Sequence, residues 1–206
     1  MSRQGTYRLL WVATAFAIVA CGDRELSTQP VATAITASFS KTSPPGSGSV
    51  AVLKRDKAIH EKSSSAVIGP NGGSLEIPSA GLRVYFGEGA VAKPTRITAT
   101  ALAGDVVAYE FEPHGLKFTA TVTVRQDLHH TTAESNPKFA ASLQGSYFEG
   151  TLADVLDVAG THARIKESRE GKLKKGDRYL RFTIEHFSGY MVSVGLTADL
   201  PDLFGR

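Results

Sequence analysis

Hydrophobic and polar positions divide the chain into three regimes. The first is an almost unbroken apolar run from Leu9 to Ala20, preceded by Arg3 and Arg8 and by no acidic residue. At about a dozen residues it falls well short of the roughly 20 that span a hydrocarbon core as a helix. A positive start, a short apolar core and a small residue at its end predict a cleavable signal peptide over 1–20. The second regime, Gly22 to about Ser65, is rich in Ser, Thr, Ala, Gly and Pro, and closes on the mixed-charge patch Lys54-Arg55-Asp56-Lys57. Its stretch from Lys41 to Ser49 (KTSPPGSGS) has too little apolar surface to offset the entropy of ordering. This predicts a flexible linker over 21–65, with Val50-Ala51-Val52-Leu53 read as an incidental apolar patch in preference to a short strand.

Beyond Ser65 the pattern changes to short alternating runs separated by Gly and Pro. These predict strands at Ala66–Ile68, Ser74–Ile77, Leu82–Phe86, Thr95–Ala101, Ala108–Phe111, Thr119–Arg125, Ser142–Phe148, His162–Glu167, Tyr179–Glu185 and Gly189–Val194. Thr119–Arg125 (TATVTVR) alternates as a half-buried strand should, and so does Arg178–Glu185 (RYLRFTIE). No helical period runs for a useful length, although Thr151–Val158 has room for a turn or two. Many short strands with Gly/Pro turns predict an all-β chain, a β-sandwich over 66–196, followed by a tail over 197–206.

Composition alters this picture at one residue above all. Cys21 is the only cysteine, and it stands where the signal would be cut. Ile18-Val19-Ala20-Cys21 resembles the lipobox of bacterial lipoproteins. The resemblance implies diacylglycerol on the Cys21 sulfur, cleavage before it, and acylation of the freed amine, since stable anchoring needs more than one chain. The implied partner is a bacterial membrane at the cell envelope, on its periplasmic face or in the outer membrane. Gly22 at the following position permits outer-membrane sorting. With Cys21 lipidated no thiol is left for a disulfide or a thiolate metal site, and stability rests on packing. Loss of Arg3 and Arg8 with the signal takes the formal charge from +3 to about +1, which gives no surface for nucleic acid.

Three segments together resemble the ZU5 domain, a β-sandwich module of netrin receptors, ankyrins and tight-junction scaffolds that also occurs in bacterial surface proteins. The first opens on Gly72-Gly73-Ser74-Leu75-Glu76-Ile77-Pro78 and continues through Glu88-Gly89-Ala90-Val91 to Thr95-Arg96-Ile97-Thr98. The second is Glu112-Pro113-His114-Gly115-Leu116-Lys117-Phe118 with Val122-Thr123-Val124, and the third is His186-Phe187-Ser188-Gly189-Tyr190. The resemblance covers about residues 66 to 196. It implies a protein-interaction or structural module, here with an unidentified envelope protein as partner. Gly87 departs from the pattern, which usually has proline there, and the insert between Asp127 and Gly160 matches weakly.

Candidate chemistry is sparse. Gly72-Gly73 and Pro113-His114-Gly115 read as turns. His129-His130 with Asp127 suggests a metal, but neighbours on a strand point to opposite faces, so both bind one ion only in a loop. A solvated loop is the expectation, with no metal and no cofactor. In some animal relatives of ZU5 the tripeptide His-Phe-Ser cuts its own backbone. Transferred here, Ser188 is the nucleophile, His186 the base and Phe187–Ser188 the scissile bond. The competing reading is packing: Phe187 fills the core while Ser188-Gly189 turns the chain. A carbohydrate-binding module for the cell envelope is a further alternative, weakened because the single Trp, Trp11, lies in the signal. No nucleophile elbow occurs, and a turnover enzyme is not expected.

Overall fold

The computed structural model describes residues 48–196; Cys21, the signal run and the first part of the linker lie outside them. Its strands are β1 (Gly48–Val52), β2 (Lys54–Ile59), β3 (Lys62–Ile68), β4 (Gly73–Ile77), β5 (Leu82–Phe86), β6 (Thr95–Ala101), β7 (Gly104–Val106), β8 (Ala108–Glu112), β9 (Lys117–Asp127), β10 (Leu143–Phe148), β11 (His162–Ile165), β12 (Glu167–Glu170), β13 (Tyr179–His186) and β14 (Gly189–Leu196). Two short helices, α1 (Pro137–Ala141) and α2 (Leu152–Val155), interrupt them. All strand pairs are antiparallel. Of the two sheets of the sandwich the smaller runs β13-β9-β5-β4, and the larger follows the order β11-β1-β14-β8-β6-β3 with β10 attached through β14 and β12 through β10; β2 and β7 pair separately as a two-stranded sheet. The all-β class and the sandwich are as the sequence predicts.

β14 organises the larger sheet. One edge pairs with β10 along most of its length; the other pairs first with β8 and then with β1. Inward-facing Ile97, Phe111, Tyr190 and Val192 of this sheet share one core with Val84, Val122, Phe182 and Ile184 of the smaller one. The sheets press closest at Gly145, where a Cβ would collide with the Phe182 ring. A second cluster covers the opposite face of β14 and β1, joining Val50, Val52, Ala108 and Met191 to Val155 of α2. β1 and β14 are therefore buried on both faces, which is why their sequences run apolar instead of alternating. The outward Ser193 and Ser146, both buried, satisfy each other at 2.7 Å.

The linker predicted to residue 65 is corrected by these strands. The sandwich begins at Gly48, and β1, β2 and most of β3 occupy positions read as tether. A four-residue apolar run looks the same in sequence whether stray or built into a sheet. Here Val50 packs into the cluster under α2 and Leu53 into the central core, and both are 0% exposed. Arg55, in the mixed-charge patch read as the end of the linker, is 8% exposed. Its guanidinium donates to the Val106 carbonyl and lies 3.4 Å from the Tyr109 hydroxyl. That hydroxyl also hydrogen-bonds the Gln126 side chain and the Ala80 carbonyl, and burial pushes the phenol up to about 12. Smaller differences follow from local chemistry. Ser142 caps α1 instead of starting a strand, β11 and β12 break at Lys166, and Thr151 forms a capping box with Asp154 to nucleate α2.

Candidate functional site

His186-Phe187-Ser188 forms the corner between β13 and β14. Backbone bonds fix it on both sides. The Phe187 N–H donates to the Leu116 carbonyl at 2.9 Å, and the Phe187 carbonyl accepts the Gly115 N–H at 3.0 Å. The Ser188 carbonyl accepts from Phe111 at 3.2 Å. Gly115 reaches this position from a turn in which Leu116 N–H bonds the Pro113 carbonyl, and its φ of 73° is one that glycine adopts freely. The second and third motifs thus meet in space. His114 between them is exposed.

Alternation sends Phe187 inward and the flanking His186 and Ser188 to the other side. Phe187 is 1% exposed, stacked on Phe111 at 5.2 Å and edge-on to Phe118 at 4.8 Å and Phe86 at 6.1 Å. Aromatic contacts of this kind add to the gain from area buried. Gly189 has a comparable reason: a Cβ there would stand 2.5 Å from the buried Phe148 ring. Packing thus accounts for Phe187 and Gly189 without any chemistry.

The polar face carries a chain of contacts drawn from separate strands. The Tyr147 phenol, beside Ser188, donates to Glu149 Oε1 at 3.2 Å. Lys166 sits 3.2 Å from the same carboxylate and, with Tyr147, holds Glu149 below its ordinary range. Burial raises Tyr147, and Ser188 partly offsets this. His186 presents its ring to the edge of Tyr147 at 4.8 Å, with Nε2 3.8 Å from Glu167 Oε2. Glu167 is ion-paired with Arg169, which reaches Glu185 at 3.0 Å. Tyr190 donates to the His186 carbonyl at 3.1 Å, and burial followed by the Glu167 charge drives its phenol strongly upward.

A serine nucleophile needs a base within about 2.6–3.2 Å or one water away. Here Ser188 stands beside Tyr147, and His186 faces Glu167 at 3.8 Å. The two residues that sequence reasoning paired share a face but meet different neighbours. Gly115 alone meets part of the chemical requirement, since its N–H already rests on the carbonyl of the would-be scissile bond. Tyr147, Glu149 and Glu167 carried no sequence signal, because they come from β10, the segment after it and β12.

The remaining sequence candidates are structural or lie elsewhere. Gly72 takes φ 78°, and a Cβ would collide with the Phe86 carbonyl oxygen. Gly87 donates its N–H to Thr121 at 3.1 Å, a bond that the proline of the resembled pattern cannot make. His129 and His130 occupy the loop after β9, and Asp127 is held by Arg178 at 2.7 Å. Cys21 lies outside the described residues. No family model matches the chain, and no curated protein matches it.

Proposed function

We propose that this chain is a lipid-anchored envelope protein whose ZU5-like sandwich is an interaction module with no turnover chemistry. The observation that carries the reading is the division of the corner. Phe187 and Gly189 are explained by packing, while Ser188 neighbours Tyr147 and His186 Nε2 lies 3.8 Å from Glu167 Oε2. Anchoring rests on the Cys21 lipobox. The 26 residues from Gly22 to Ser47 separate that cysteine from the first strand. Interaction is supported by an open edge: among the described residues β3 pairs only with β6 in its sheet, and Val67 on it is 61% exposed. An edge of this kind accepts an added strand from a partner.

A soluble Cys21→Ser protein used as bait on envelope extracts tests the interaction. We expect one specific partner, lost when Val67→Lys places a charge on the edge. Recovery at background level, or capture indifferent to Val67→Lys, contradicts this reading. Self-cleavage at Phe187–Ser188 is kept as a second reading because the Gly115 N–H is already placed on the Phe187 carbonyl.

A further inference from the structure

From the loop after β9 we infer that His129, His130 and Glu134 form a binding site for a divalent transition ion of the zinc type. On a strand, the adjacent His129 and His130 would point to opposite faces. The backbone resolves that conflict. His130 has φ 59°, the only positive φ at a non-glycine position among the described residues, and its ring turns to within 3.7 Å of the His129 ring. One ligating atom from each of His129, His130 and Glu134 then lies within 4.8 Å of the other two. The His129 Nε2 to Glu134 Oε1 distance is 3.3 Å. That is close to the edge of a tetrahedron with metal–ligand bonds of about 2.0–2.1 Å. The other two sides are at most 4.8 Å, so closing the triangle asks for an adjustment of up to about 1.5 Å from the tetrahedral edge that those bond lengths set, within reach of exposed side chains.

The loop is held in shape by groups other than the ligands. Asp56 N–H donates to the His130 carbonyl and Thr132 N–H to the Lys54 carbonyl, both at 2.9 Å, tying the loop to β2. Leu128, Thr131 and Ala133 are buried, while His129, His130 and Glu134 face solvent. Glu134 is oriented by the His130 N–H at 2.8 Å, and His129 N–H is fixed by Asp127 at 3.0 Å. Asp56 Oδ2 stands 4.0 Å from His130 Nδ1, placed as an outer carboxylate for a ligating imidazole. Two imidazoles and one carboxylate suit zinc and disfavour calcium or magnesium, which prefer all-oxygen shells. Three protein ligands leave a coordination position open to water or to a partner's side chain.

The test is calorimetric titration of the full-length protein, purified in detergent without a histidine tag and stripped with chelator, using zinc chloride. We expect one zinc per chain and a raised thermal midpoint, because an ion bound only by the folded state stabilises it. His129→Ala and Glu134→Gln should each weaken zinc binding at least tenfold with unchanged circular dichroism. His114→Ala, an exposed histidine outside the site, should leave it unchanged. Absence of saturable binding, equal binding by magnesium, or zinc affinity indifferent to His129→Ala and Glu134→Gln would each overturn the assignment.

Discussion

Phe187→Ala is expected to lower the unfolding free energy by about 3–5 kcal/mol, the range for truncating a fully buried phenylalanine. The side chain lies where the two sheets and the Pro113–Leu116 turn converge, and its ring touches Phe86, Phe111 and Phe118. No single neighbour can move to fill the space, because Phe111 and Phe86 are fixed by their own strands. A domain of this size has only about 5–15 kcal/mol in total, so the variant should unfold at a much lower denaturant concentration. Ser188→Ala removes one hydroxyl from a half-buried site and should cost about 1 kcal/mol. That contrast separates packing from chemistry. A loss below about 1 kcal/mol for Phe187→Ala in chemical denaturation would contradict the role given to the ring.

A chain beginning at Ala66, where the sequence pattern places the domain boundary, is expected not to fold. One beginning at Gly48 should unfold cooperatively. The shorter chain lacks β1, which pairs with both β11 and β14. Its loss strips cover from Ala108, Met191 and Phe148 on one face of the sheet, and removes Ala51 and Leu53 from the central core. It also deletes Arg55, leaving the buried Val106 carbonyl without its donor. Each of these is a recognised source of severe destabilisation, and together they exceed the margin of a small domain. Equal thermal midpoints for the two chains would show that β1 is not an integral strand.

What the sequence made legible follows from which forces act locally. Strands with one wet face, such as β9 and β13, announce themselves by alternation, and their predicted spans fall inside the observed ones. β1 did not, because a strand buried on both faces has no alternation and its significance depends on partners more than a hundred residues away. Arg55 fell in the predicted linker for a related reason: a cation among Lys54, Asp56 and Lys57 shows no sign of burial until Tyr109 and Val106 are brought over it. The corner motif was visible as residue types, and its tight turn as Gly189. The neighbours that Ser188 and His186 meet were not, since Tyr147 and Glu167 come from other strands. The metal-ligating loop was half visible. His129-His130 stood out, but Glu134 gains meaning only once His130 adopts its left-handed backbone.

The central claim is that the chain is held at a membrane by Cys21 and stays whole through the Phe187–Ser188 bond. Denaturing intact-mass analysis of the full-length protein, expressed in a bacterium and extracted from its membranes, reads both ends of that claim at once. The expected result is one species that begins at Cys21, carries diacylglycerol and an amide-linked acyl chain, and continues uncut to Arg206. An unmodified Cys21, or two fragments meeting between Phe187 and Ser188, would contradict it.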